Sequence, residues 1–257
     1  MREPLMNIMI QAAYQAEKAI SRNLHKMDRM KHEQNSSGEW ITPFNQMAED
    51  LIIAELKKAY PAYGVQSVAN GHQGNEENYF LIDPINGSHN LLNQNPHWCI
   101  SIALKEKGKL TQALIFDPSR DEMFSASVGG GAYLNKQRIR VSKQKELNNA
   151  LVATSVPFRS PEDKKSFWSH TARLSSEVRE LRMTGSIALD FAWTACGRFD
   201  AYYEFGLNSF NSTAGILLIQ EAGGSVQTMN GKEVSDHKGN LVASGVYLMP
   251  KLLKYLR

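Results

Sequence analysis

The sequence predicts an α/β protein built from layers of sheet and helix. Two observations predict it. In the second half, short apolar runs alternate with helical patterns, the order that places helices over a sheet. In the first half, two helical segments precede a series of apolar runs separated by turn residues, the pattern of an antiparallel meander. With 257 residues, 42% of them hydrophobic, the chain has enough apolar material for a sizeable core.

Residues 5–30 read as an amphipathic helix, with Ile8, Met9, Ala12, Ala13, Ala16, Ala19 and Ile20 at helical spacing. Residues 31–39 are polar and rich in Ser, Asn and Gly, which reads as a loop or flap. A second helix is predicted over 45–60, with Ala48, Leu51, Ile52 and Leu56 on one face and Pro61 as its stop. Strands follow at 79–82, 100–104, 113–116 and 122–127, with Gly108 and Pro118-Ser119 marking turns. The second half reads as strand 151–154, helix 164–176, strand 180–182, helix 187–196, strand 201–205 and helix 212–222. Gly197 and Gly223-Gly224 close the last two helices. The polar stretch 142–148 suggests a boundary between an N-terminal part, 1–145, and a C-terminal part, 146–257.

The formal charge of +3 does not require a nucleic-acid partner. A local basic run, Lys136, Arg138, Arg140, Lys143 and Lys145, keeps that class open, although such a run ordinarily forms a solvated strand and turn. Cys99 and Cys196 lie among apolar residues and lack the paired spacing of a zinc site or a disulfide framework. No window approaches the ~18 apolar residues of a spanning helix, and the N-terminus does not open a signal peptide. The expectation is a soluble, cytoplasmic protein with no membrane partner.

The segment richest in chemistry is Leu81-Ile82-Asp83-Pro84-Ile85-Asn86-Gly87-Ser88-His89-Asn90. An apolar strand delivers Asp83, Pro84 fixes the turn and Gly87 frees the backbone. Gly87, Ser88 and His89 are then placed to offer N–H groups to an anion if a helix begins there.

This segment resembles the inositol monophosphatase family, whose motif is Asp-Pro-Ile-Asp-Gly-Thr-x-Asn. The resemblance continues through Pro96-His97-Trp98-Cys99-Ile100-Ser101, Asp117-Pro118 to Glu122-Met123-Phe124, and Gly131-Ala132-Tyr133-Leu134-Asn135. It extends to Thr184-Gly185-Ser186 with Asp190, Tyr203-Glu204-Phe205-Gly206 and Glu221-Ala222-Gly223-Gly224. It covers about residues 5 to 250 and is strongest to the bacterial SuhB-type members. The resemblance implies an αβαβα sandwich and a homodimer. It also implies two or three Mg²⁺ ions that activate water against a phosphomonoester of an inositol or sugar. By the same resemblance, Asp83 and the Ile85 backbone would hold metal, and Gly87, Ser88, His89 and Glu204 would hold substrate, Ser88 keeping the catalytic hydroxyl.

The match fails at the charges. Asn45, Asn86 and Asn211 stand where the family carries Asp, and Val68-Ala69 where it carries a Glu pair. Glu76 and Glu77 lie too close to Asp83 in sequence to replace that pair readily. Mg²⁺ is a hard cation that requires oxygens, and two such ions about 4 Å apart need carboxylates to offset their repulsion. Asp190 and Asp200 read as a helix residue and a turn residue. The expectation is therefore a family member whose phosphatase chemistry is lost, with Mg²⁺ weak or absent. Its expected role is binding or regulation. The SuhB-type resemblance implies Nus-type antitermination factors or RNA polymerase as partners. A weakly active phosphomonoesterase remains the alternative.

Overall fold

The structure is a computed structural model that describes residues 4–25, 33–34, 40–68, 70–157, 160–234 and 237–257. Helix α1 (Pro4–Asn23) turns Met9, Ala12, Ala13, Ala16 and Ile20 to the interior. It ends earlier than its periodicity predicts, and residues 26–30 of the predicted helix lie outside the described residues. From the predicted loop come β1 (Glu33–Gln34) and, just beyond it, β2 (Trp40–Ile41), a small antiparallel pair. Helix α2 (Pro43–Ala59) starts on a reciprocal cap between Thr42 and Asn45 and stops before Pro61.

The first large sheet contains β3 (Gly64–Ser67), β4 (Gly71–Gln73) and β5 (Tyr79–Asn86). Short helix α3 (Ser88–Leu92) follows, then β6 (Cys99–Glu106), β7 (Lys109–Asp117), β8 (Glu122–Ser127), β9 (Gly131–Leu134) and β10 (Gln137–Arg138). Its order is β10-β9-β8-β7-β6-β5-β3-β4. From β5 to β10 it is an antiparallel meander, and β3 runs parallel to β5.

The second sheet is built from β11 (Leu151–Thr154), β12 (Glu180–Met183), β13 (Ala201–Leu207), β14 (Ser225–Thr228) and β15 (Gly239–Ser244), in the order β12-β11-β13-β15-β14. Helices α4 (Pro161–Ser175), α5 (Ile187–Ala195) and α6 (Ser209–Glu221) connect its strands, and α7 (Met249–Leu256) follows β15. β11 is parallel to β12 and β13, as crossover helices require.

Three apolar clusters glue five layers together. The first joins α1 and α2 to one face of the first sheet through Phe44, Ile52, Phe80, Ile82 and Ile102. The second fills the middle, where Ala103, Ile115 and Phe124 meet Phe191, Leu217 and Ile219 of α5 and α6 and Tyr202 and Leu241 of the second sheet. The third seals the outer face of the second sheet with Phe167 of α4 and Leu252 of α7. The result is the αβαβα sandwich. Among the described residues no helix is long and apolar enough to cross a membrane.

Candidate functional site

The site forms where β5 runs out of ladder. Phe80, Leu81 and Ile82 are buried on both faces of the sheet and carry Asp83 to a position only 6% exposed. Asp83 opposes Ser101 while Asn86 opposes Cys99, so three steps on β5 face two on β6. The extra residue is a bulge at Pro84-Ile85, tolerated because Pro84 has no N–H to lose. The side chain of Ile85 is buried and packs into the cluster under α1 and α2.

Gly87 takes φ of +94° and introduces α3. A Cβ there would lie 2.9 Å from the His97 carbonyl oxygen, so only glycine fits. The first amides of α3, at Ser88 and beyond, have no intrahelical acceptor. Ser88 is half-buried and His89 is exposed. The His89 ring lies parallel to Trp40 at 6.3 Å. Asn90 staples the turn: its Nδ2 donates to the His97 carbonyl at 2.7 Å and the Thr184 carbonyl at 2.8 Å.

Asn86 is held at both ends of its amide. Its Oδ1 accepts from Ser186 Oγ at 2.9 Å and from the backbone N–H of Ala188 at 2.9 Å. Its Nδ2 donates to Asp83 Oδ2 at 2.8 Å. The orientation is fixed by chemistry, because a backbone N–H can only donate, so the atom facing it must be the oxygen. Asn86 therefore shows Asp83 a donor, where a metal ligand would show an acceptor.

The other neutral positions divide. Asn45 is the third residue of α2, and its Oδ1 is taken by Thr42 N at 2.8 Å and Thr42 Oγ1 at 2.9 Å. Val68 is half-buried after β3 and offers hydrocarbon only, and Ala69 lies outside the described residues. Asn211, in the first turn of α6, has a buried Oδ1 without a hydrogen-bond partner. Glu76 and Glu77 are exposed before β5. Glu77 lies at the far end of β5 from Asp83, where its carbonyl accepts from Gly108 N at 3.0 Å in the turn between β6 and β7.

One carboxylate was missed in the sequence. Glu49 is fully buried in α2 and accepts from Ser67 Oγ at 2.5 Å and Asn70 Nδ2 at 2.5 Å. Its signal was its spacing, one helical turn beyond Asn45 on the face that also carries Ala48 and Ile52. Glu204, 2% exposed on β13, accepts from the Tyr202 hydroxyl at 3.0 Å. Asp190 is fully buried in α5 and accepts from Thr184 Oγ1 at 2.6 Å. Burial pushes its pKa well above the usual carboxylate range. Asp200 closes a turn, accepting from Ser142 Oγ and from Leu151 N at 2.7 Å.

These residues do not fit a pair of Mg²⁺ ions. Asp83 faces an amide N–H, Asn45 spends its oxygen on a helix cap, and Val68 has no oxygen. Among the described residues, no three His, Cys, Asp or Glu side chains are grouped to hold a metal.

A profile of the Inositol monophosphatase family matches residues 1–257. The chain belongs to the inositol monophosphatase family. Family members use Mg²⁺, and the layered fold agrees with their solved structures. The chain is 40% identical over 241 residues to the Nus factor SuhB of Xylella fastidiosa, covering 93% of this chain and 88% of that protein. It is 33% identical over 258 residues to the inositol-1-monophosphatase of Mesorhizobium japonicum, covering 100% and 97%. The crystal structure of the extragenic suppressor protein suhB from Bartonella henselae superposes with a TM-score of 0.94 at 31% identity, covering 99% of each chain. The family is thus shared by proteins named for transcription and proteins named for phosphatase activity.

Proposed function

We propose that this inositol monophosphatase relative is a non-catalytic binding protein of the transcription antitermination apparatus. Its partners would be Nus-type factors or RNA polymerase, and it would act as a cytoplasmic homodimer. The observation that carries the reading is the Asn86 amide. It gives Asp83 the positive partner that a cation gives elsewhere, and it does so with hydrogen bonds built into the fold. Clustered carboxylates repel one another in an empty site. Replacing them with amides relieves that repulsion and removes the oxygens on which metal chemistry depends. The similarity to proteins named Nus factor SuhB supports the choice of partner.

The test is phosphate release from inositol 1-phosphate across a Mg²⁺ titration. The expected result is no release above that of an Asp83→Ala variant. Release clearly above that control would overturn the reading. Restoring Asn45→Asp, Val68→Glu, Asn86→Asp and Asn211→Asp together should raise activity from that floor. Capture of purified Nus factors or RNA polymerase should be the same for wild type and Asp83→Ala.

A second reading is a weak Mg²⁺-dependent phosphomonoesterase on inositol or sugar phosphates. It is favoured by the intact turn at Gly87, Ser88 and His89, by Glu204, and by the open Asn211 oxygen. In that reading one metal would sit between Asp83, the Ile85 backbone and neutral oxygens, and Ser88 would serve the reaction. The same titration decides between the two.

A further inference from the structure

The basic run singled out in the sequence is not used by the site around Asp83. Lys136, Arg138, Arg140, Lys143 and Lys145 are all exposed, and no acidic residue interrupts them. None forms an ion pair among the described residues. The neighbouring carboxylates are occupied. Asp200 accepts from Ser142 and Leu151, and Glu146, the first acid after the run, is paired with Lys251 at 2.7 Å.

The backbone beneath these cations is pinned. Ile139 is buried in the central core and Val141 packs against it, while Arg138 lies beside Gly131 and Arg140 beside Gly223, with Arg140 Nη1 donating to the Ile139 carbonyl at 3.0 Å. Val141 N donates to the Ala222 carbonyl at 3.3 Å, and Gln144 N donates to Ser142 Oγ at 3.1 Å. Glycine lets this segment lie close to its neighbours. A Cβ on Gly224 would come within 2.7 Å of Val141 Cγ1, and one on Gly245 would strike the Ser142 carbonyl. At the end of the run the Lys145 ammonium sits 5.0 Å over the ring of Tyr247, which remains 56% exposed.

We propose that this edge binds a single-stranded nucleic acid, with the five cations following its phosphates and Tyr247 stacking against a base. A charged groove that tracks the backbone, joined to an exposed aromatic face, is how single strands are held without sequence preference. An acidic protein or an anionic membrane would use the charge but not the ring. The inference rests on a different surface from the Asp83 site and stands whether or not that site has lost its chemistry.

The test is fluorescence anisotropy with an oligouridylate of about 12 nucleotides, using the full chain over a salt series. Five phosphate contacts predict a log–log slope of about −3.5. Lys143→Gln with Lys145→Gln should reduce that slope by about 1.4. Tyr247→Ala should weaken binding about tenfold with the slope unchanged. Unchanged circular dichroism would show that the variants are folded. Wild-type affinity in a variant with all five cations changed to Gln would overturn the proposal. So would binding only to phosphatidylserine vesicles or polyglutamate, or equal affinity for a duplex of the same length.

Discussion

At the scale of residues, the amide of Asn86 decides how the site behaves. Asn86→Asp would put a second carboxylate within hydrogen-bonding distance of Asp83 and remove its donor. The variant should lose about 1–3 kcal/mol at pH 7 and recover as the pH falls and the pair takes up a proton, which thermal unfolding over a pH series would show. His97 carries the opposite sign. Burial first, and then the nearby Arg120 charge, lower its pKa to about 4. Between that value and the ordinary 6.5 the unfolded chain binds a proton that the native chain refuses. Stability therefore rises with pH through this window and is lost as pH falls below about 6.5. The full effect is at most about 3 kcal/mol, and His97→Gln should flatten the profile in denaturant titrations at pH 4.5 and 7. At this scale Asp83 and the neutralised positions were legible in the sequence, because each follows a spaced motif. The direction of the Asn86 amide was not. It depends on Ser186 and Ala188, about a hundred residues away, which pattern reading cannot bring near.

At the scale of elements, the turn from β5 into α3 depends on Gly87. Gly87→Ala would force a side chain into a left-handed conformation and against the His97 carbonyl. The cost should be about 1–3 kcal/mol, measured as a fall in melting temperature. Strongly periodic elements were legible: α2, β6, β7 and β8 lie where apolar spacing places them. α7, with Leu252, Leu253 and Leu256 buried, and β15, with the run Leu241-Val242-Ala243, carry that signal and are not predicted; two other unpredicted strands lack it. β4 is exposed along its whole length and β10 has only two residues, so neither shows alternation. α6 begins at Ser209, earlier than its apolar run, because Asn208 caps it by accepting from Asn211 N at 3.2 Å. The glycine turn between β8 and β9 is held from a distance, with Glu221 accepting from Gly129 N and Gly131 N at 2.8 Å each. Glu221→Ala should therefore speed amide hydrogen exchange at Gly129 and Gly131 while leaving distant strands unchanged.

At the scale of the whole molecule, the two sheets share one interior. The central cluster draws on both, and Asn86 and Asn90 tie the β5 turn to Ser186 and Thr184. Segments 1–145 and 146–257 should unfold together, with calorimetric and van't Hoff enthalpies equal. Two separated transitions would show that they are independent units. The layered class was legible from the order of elements alone. The depth of the sandwich was implied by family resemblance, since no local pattern says that α5 and α6 lie between two sheets.

The hydrogen bonds on Asn86 also bear on how this protein ages. Asn followed by Gly is the dipeptide in which the next backbone nitrogen most readily attacks the side-chain carbonyl carbon. Attack expels ammonia and closes a succinimide, and water then opens the ring to an acid. Here the amide nitrogen is engaged by Asp83, the amide oxygen by Ser186 and Ala188, and the Gly87 backbone is set in a left-handed turn. The ring cannot close without breaking that arrangement, so folding protects the residue. Each excursion to the unfolded state exposes it to a slow reaction whose products are isoaspartate and, in smaller part, the aspartate that the family motif carries.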